Sequence, residues 1–92
     1  MAIKLDKVAD IVELLGKKGS LRILDSLLNA PLRYHELRET CSSDKTLSER
    51  LKQLEENKFI ETISQKADGR FFVHYIITDR GRQVLEKVKE IT

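Results

Sequence analysis

Between positions 45 and 52 the chain carries two ammonium groups, two hydroxyls and a carboxylate: Lys45, Thr46, Ser48, Glu49 and Lys52. An ammonium can pair with guanine acceptors or with a phosphate, a hydroxyl with either kind of edge, and a carboxylate with the amino group of cytosine. That is the chemistry of recognition by hydrogen bonding, not of bond breaking. The bland reading of the same residues is a solvated helix face. Asp44 and Glu49 bear against nucleic acid unless they are turned away, because carboxylates repel phosphates. Arg50 has two readings, a phosphate contact or a bridge between helices. Lys66 and Arg70 sit either side of an Asp68-Gly69 pair and form a basic tip, which reads as an electrostatic contact or as a solvated turn. His35 stands where a helix N-terminus would face a nucleic-acid backbone, or is simply a surface residue.

Other chemistries lack their residues. No serine or cysteine is paired by motif with a base, no glycine-rich loop could cradle a phosphate, and no paired-carboxylate signature occurs. No enzymatic activity is expected. With two separated histidines and one thiol, a zinc site is not expected either, and no cofactor is implied. Cys41 reads as a small core residue on the inward side of a short helix. His74 is expected on an exposed strand face.

The elements that must position these groups follow from periodicity. Leu47, Leu51 and Leu54 recur at i, i+4 and i+7, one narrow apolar stripe, so 44–57 is a helix with its polar side free. Ser43 is its N-cap and Asp44 suits the helix dipole in the first turn. Asn57-Lys58 ends it, with Asn57 in the left-handed C-cap conformation. Upstream, a helix over 3–15 carries Leu5, Val8, Ile11, Val12, Leu14 and Leu15, more apolar surface than one packing side needs. Gly16 is expected as its C-terminal left-handed residue. Ser20 is expected to cap a second helix running to 29, with Leu21, Leu24, Leu27 and Leu28 inward and Ile23 to one side. Leu32-Arg33 allows only a β-bridge, and a short third helix spans 35–40 with Leu37 inward.

Downstream, 59–65 reads as a strand, 66–69 as a turn on the Asp-Gly signal, and 70–77 as the return strand. Thr78 caps a last helix with the stripe Val84, Leu85, Val88 and Ile91. Gly81, unfavourable there by propensity, points to a close backbone approach. The expected order is helix, helix, short helix, helix, hairpin, helix: a mainly α winged helix-turn-helix, one domain over 1–92.

Ninety-two residues allow one small domain with a marginal private core. The surplus apolar face of the first helix and the stripe of the last therefore point to a second copy, with Leu5, Val8, Val12, Leu15, Leu85, Val88 and Ile91 as the interface. At 40% hydrophobic and 35% charged the chain is globular, and its net charge of +2 permits nucleic-acid binding without arguing for it. A single cysteine suits a reducing compartment, the cytoplasm. No run approaches membrane-spanning length, and the N-terminus does not read as a signal peptide.

Four stretches carry a resemblance. Residues 14–24 (LLGKKGSLRIL), 33–38 (RYHELR), 47–56 (LSERLKQLEE, followed by Phe59-Ile60) and 75–82 (YIITDRGR) resemble, in this order, the joints and recognition helix of winged helix-turn-helix regulators of the HxlR group, related to MarR and ArsR proteins. The match departs from the group at several points. The N-terminal cysteine that serves redox sensing in some HxlR members is absent. Gly19 stands at the group's tryptophan, His35 at a serine cap, and the adjacent cysteines of ArsR metal sensors are missing. The resemblance implies a homodimeric transcription regulator on double-stranded DNA with a pseudo-palindromic operator. Ser43, Lys45, Thr46, Ser48, Glu49, Arg50, Lys52 and His35 would contact it, and Lys66 and Arg70 would reach the flanking minor groove. The competing class is a winged-helix protein-interaction module without specific DNA binding, kept open by the modest charge and by Phe72 and Ile76 on the second strand face. RNA binding lacks stacking aromatics on an exposed sheet with basic neighbours.

Overall fold

Leucines buried on a handful of short elements make the core, and the ends of those elements are closed by side chains rather than by length. The computed structural model describes residues 4–91; Ile3, expected to begin the first helix, lies outside them. Helix α1 is Leu5–Gly16 and helix α2 is Ser20–Ser26. A 3-10 turn, Tyr34–Thr40, leads to helix α3, Asp44–Glu56. Strands β1, Ile60–Ala67, and β2, Arg70–Ile77, form an antiparallel hairpin, and helix α4, Asp79–Glu90, closes the chain. Leu32 pairs with Tyr75 on the free edge of β2, through bonds of 3.1 and 2.7 Å, so the expected bridge is a one-residue third strand. This is the winged-helix arrangement, mainly helical with one hairpin.

The joint between α1 and α2 departs from expectation. Gly16 ends α1 without a left-handed turn; the residue at positive φ is Gly19, at 91°, just before α2. A Cβ on Gly19 would overlap Cys41 Sγ, so the position requires glycine for both conformation and space. Ser20 is not a cap. It is the first residue of α2, fully buried, and its hydroxyl donates to the Leu14 carbonyl at 2.7 Å, tying the start of α2 to the end of α1. Helix α2 stops three residues short of the expected 29, and Ile23, placed to one side by the sequence, is wholly buried.

Both ends of α3 close on local chemistry. The Ser43 hydroxyl accepts from the Thr46 N–H at 3.1 Å, as expected of an N-cap. At the other end Asn57 keeps a negative φ, and Lys58, at φ 62°, is the left-handed residue. The Phe59 N–H bonds the Leu54 carbonyl and the Lys58 N–H the Glu55 carbonyl, a Schellman closure. Leu54 and Phe59, which that closure brings together, are both fully buried. Leu47 and Leu51 complete the stripe, packed with Leu14, Ile23, Leu24 and Leu37.

The hairpin turns on two residues, Asp68 and Gly69, at φ 53° and 78°. That tight turn matches strand twist and extends β1 two residues past its expected end, so Lys66 pairs with Phe71 and Ala67 with Arg70. Thr78 caps α4 by accepting from the Gly81 N–H at 3.0 Å, while its hydroxyl lies 2.7 Å from the Lys58 carbonyl. Gly81 is the expected close approach: a Cβ there would overlap the Phe59 carbonyl oxygen. Leu85 is 3% exposed and belongs to the protomer's own core, which removes it from the expected interface. Leu5, Val8, Val12 and Ile91 stay exposed, and Leu15 and Val88 are half-buried.

Candidate nucleic-acid interface

Because Leu47, Leu51 and Leu54 hold α3 by one side, its other side faces solvent as a rigid unit. Lys45, Glu49 and Lys52 are exposed there and make no hydrogen bond or ion pair among the described residues. Ser43 is exposed, with its hydroxyl between the Thr46 N–H and the half-buried Thr46 hydroxyl at 3.1 Å. Asp44 is not a bare carboxylate at the front of the helix: Arg38 pairs with it at 3.2 Å. That pair is exposed, so it adds little stability, but it offsets the charge that would repel a phosphate.

Arg50 takes the bridging alternative. Its Nε donates to the Lys18 carbonyl at 3.1 Å and another guanidinium nitrogen to Gln53 Oε1 at 3.0 Å. It thus pins α3 to the loop between α1 and α2 and is turned away from the row Lys45, Glu49, Lys52. His35 is exposed but does not cap the 3-10 turn. The cap position is Arg33, whose N–H donates to Glu36 Oε1 at 2.9 Å.

Two residues that the sequence reading passed over sit in this surface. The Tyr34 hydroxyl donates to the Asp44 carbonyl at 3.0 Å and lies 2.9 Å from Ser48 Oγ. The Arg38 guanidinium lies 5.9 Å from the Tyr34 ring centroid. Tyr34 and Arg38 therefore brace the first turn of α3 against the preceding 3-10 turn. Periodicity could not signal this, since the partners of Tyr34 are ten and fourteen residues away; the only hint was that both residues fall in the 33–38 stretch.

Lys66 and Arg70 are exposed beside the hairpin turn. The two faces of β2 differ from expectation. His74 is buried, not exposed, with Nδ1 3.0 Å from the Phe72 carbonyl. Leu32 adds to the free edge of β2 at the neighbouring Tyr75, and Arg33 lies over the Phe72 ring, 3.9 Å from its centroid, on the face that Phe72 shares with His74. Phe72 and Ile76 are half-buried. The exposed apolar residues of β2 are Phe71 and Val73 on the opposite face, and Phe71 stands across from Lys66. An exposed ring with basic neighbours thus does exist, contrary to the sequence expectation, but a single ring is short of the two or three that a stacking sheet uses. Burial, with the nearby Glu55 and Tyr34 adding to it, pushes the Tyr75 hydroxyl above its ordinary range.

Cys41 is half-buried, its Sγ against Thr40 Oγ1. Among the described residues no group of three or more histidine, cysteine or acidic side chains could hold a metal, and no helix is long and apolar enough to cross a membrane.

Comparison with known proteins places this geometry among relatives. A family model for HxlR-like helix-turn-helix proteins matches residues 14–92. The HTH-type transcriptional regulator YodB of Bacillus subtilis (strain 168) is 40% identical over 77 residues, covering 82% of this chain and 68% of that protein. The reduced form of YodB superposes with a TM-score of 0.80 at 31% identity, covering 99% of this chain and 88% of that one. A MarR-family regulator from Enterococcus faecalis V583 has the same TM-score at 18% identity, covering 99% and 84%, a likeness of fold alone.

Proposed function

The chain belongs to the HxlR-like helix-turn-helix family, whose members are transcription regulators and not enzymes, and we propose that it binds double-stranded DNA sequence-specifically as a homodimer. The observation that carries this reading is the outer face of α3, where Lys45, Glu49 and Lys52 are exposed and unpaired among the described residues. A helix held so from behind can enter a major groove without rearrangement. Ser43, Thr46 and Ser48 lie in its first turns and supply hydroxyls to phosphate or base edges, and His35 faces the backbone alongside them. Arg50 is assigned to holding α3 and not to the DNA. Lys66 and Arg70 reach the flanking minor groove, where a narrow groove attracts basic side chains.

Two protomers join through Leu5, Val8, Val12 and Ile91, with Leu15 and Val88 at the margin. The two recognition helices then meet successive major grooves of a pseudo-palindromic operator, about 34–36 Å apart. The test is a mobility shift with the duplex upstream of the protein's own gene against a scrambled duplex. A shift on the first at concentrations that leave the second free is the expected result, and Lys52→Ala should weaken it. Equal binding to both duplexes would remove sequence specificity. No binding to either would favour the protein-interaction reading, which the exposed Phe71 and Val73 support.

A further inference from the structure

A serine hydroxyl in a major groove is ordinarily ambiguous, because it can donate to one base edge and accept from another. At Ser48 the surroundings remove that ambiguity. Tyr34 Oη lies 3.0 Å from the Asp44 carbonyl oxygen and 2.9 Å from Ser48 Oγ. A carbonyl oxygen only accepts, so the single phenolic proton goes to Asp44. With that proton committed, the contact between the two hydroxyls is made with the proton of Ser48, donated to Tyr34 Oη. Ser48 is exposed on α3, and what it turns outward is lone pairs. The relay is held at its other end as well, since Arg38 both stands over the Tyr34 ring and pairs with the Asp44 carboxylate.

We propose that this relay makes Ser48 an acceptor-only reader in the major groove, selecting adenine or cytosine on the strand it faces. Those bases present an amino donor there, whereas guanine and thymine present acceptor oxygens. Tyr34 is then a positioning residue for specificity, acting through Ser48 without touching a base. The proposal rests on the DNA-binding reading above and adds the direction of one proton.

The experiment is selection from randomised duplexes with the full chain, comparing wild type, Ser48→Ala and Tyr34→Phe, with thermal melts to confirm that each folds. Wild type should show one position in each half-site where adenine or cytosine is preferred by about tenfold over guanine and thymine. Ser48→Ala should flatten that position and no other. Tyr34→Phe leaves the serine in place but frees its proton, so guanine and thymine should rise at that same position until the preference is largely lost. A Tyr34→Phe profile identical to wild type, or a Ser48→Ala profile unchanged at every position, would overturn the proposal while leaving DNA binding intact. A wild-type protein that enriches no sequence would instead overturn the DNA-binding reading, and the proposal with it.

Discussion

Gly81 and Arg50 each hold a joint that the recognition surface depends on, and each can be tested by one substitution. At Gly81 an added Cβ would overlap the Phe59 carbonyl oxygen and come within 2.8 Å of Ile77 Cγ1. That carbonyl already accepts from the Thr78 N–H and lies 3.0 Å from its hydroxyl, so it has little room to move. Gly81→Ala should therefore destabilise by about 1–3 kcal/mol in urea unfolding, although alanine is the better helix former by about 1 kcal/mol. Arg50→Ala removes two hydrogen bonds from a charged donor at a half-exposed position. The expected loss is about 1 kcal/mol, with the salt dependence of DNA binding unchanged; a reduced salt slope would show that Arg50 meets a phosphate after all.

At the scale of elements, α3 and the hairpin contribute to binding in different ways. The α3 side chains are carried on a packed helix, whereas Lys66 and Arg70 stand beside a hairpin turn whose two residues, Asp68 and Gly69, are exposed. Lys66→Ala and Arg70→Ala should weaken binding to every duplex alike and lower the salt slope by about 1 for each phosphate that a subunit no longer neutralises. Lys52→Ala should instead change which sequences are preferred. The C-terminus of α3 offers a stability test: Lys58 holds φ 62°, a conformation that costs a residue with a Cβ about 1–2 kcal/mol. Lys58→Gly should raise stability by about 0.5–1 kcal/mol, read as a higher urea midpoint. The elements themselves were legible in the sequence where their signals were local. Ser43 and Thr78 announce helix starts, Asp68-Gly69 announces the hairpin, and the leucine spacing announces the stripe of α3. Features decided by distant partners were not legible. Which residue turned left-handed, Gly19 rather than Gly16 and Lys58 rather than Asn57, depends on what packs after the helix. His74 is buried on a strand whose edge is joined by Leu32, far earlier in the chain. Tyr34 joins the site only because the 3-10 turn lays it against α3.

For the whole molecule the surface that calls for a partner is the apolar one. Leu5 is 76% exposed, Val12 63% and Ile91 82%, against a core that, among the described residues, consists of a dozen buried hydrophobic side chains. A second copy covering those side chains would account for an α1 that turns little of itself inward: of its residues only Leu14 is buried. Light scattering at micromolar concentration should return twice the mass of the chain, and Val12→Lys should shift it to one. A wild-type monomer at that concentration would remove the dimer from the proposed function. The exposed row on α1 has a further consequence for regulation in time. Where two protomers must meet before both helices engage, site occupancy at low abundance rises with the square of the amount synthesised. Halving production would then cut occupancy to about a quarter, so dilution by growth would empty the site faster than it lowers the protein's own abundance, before any signal molecule is required.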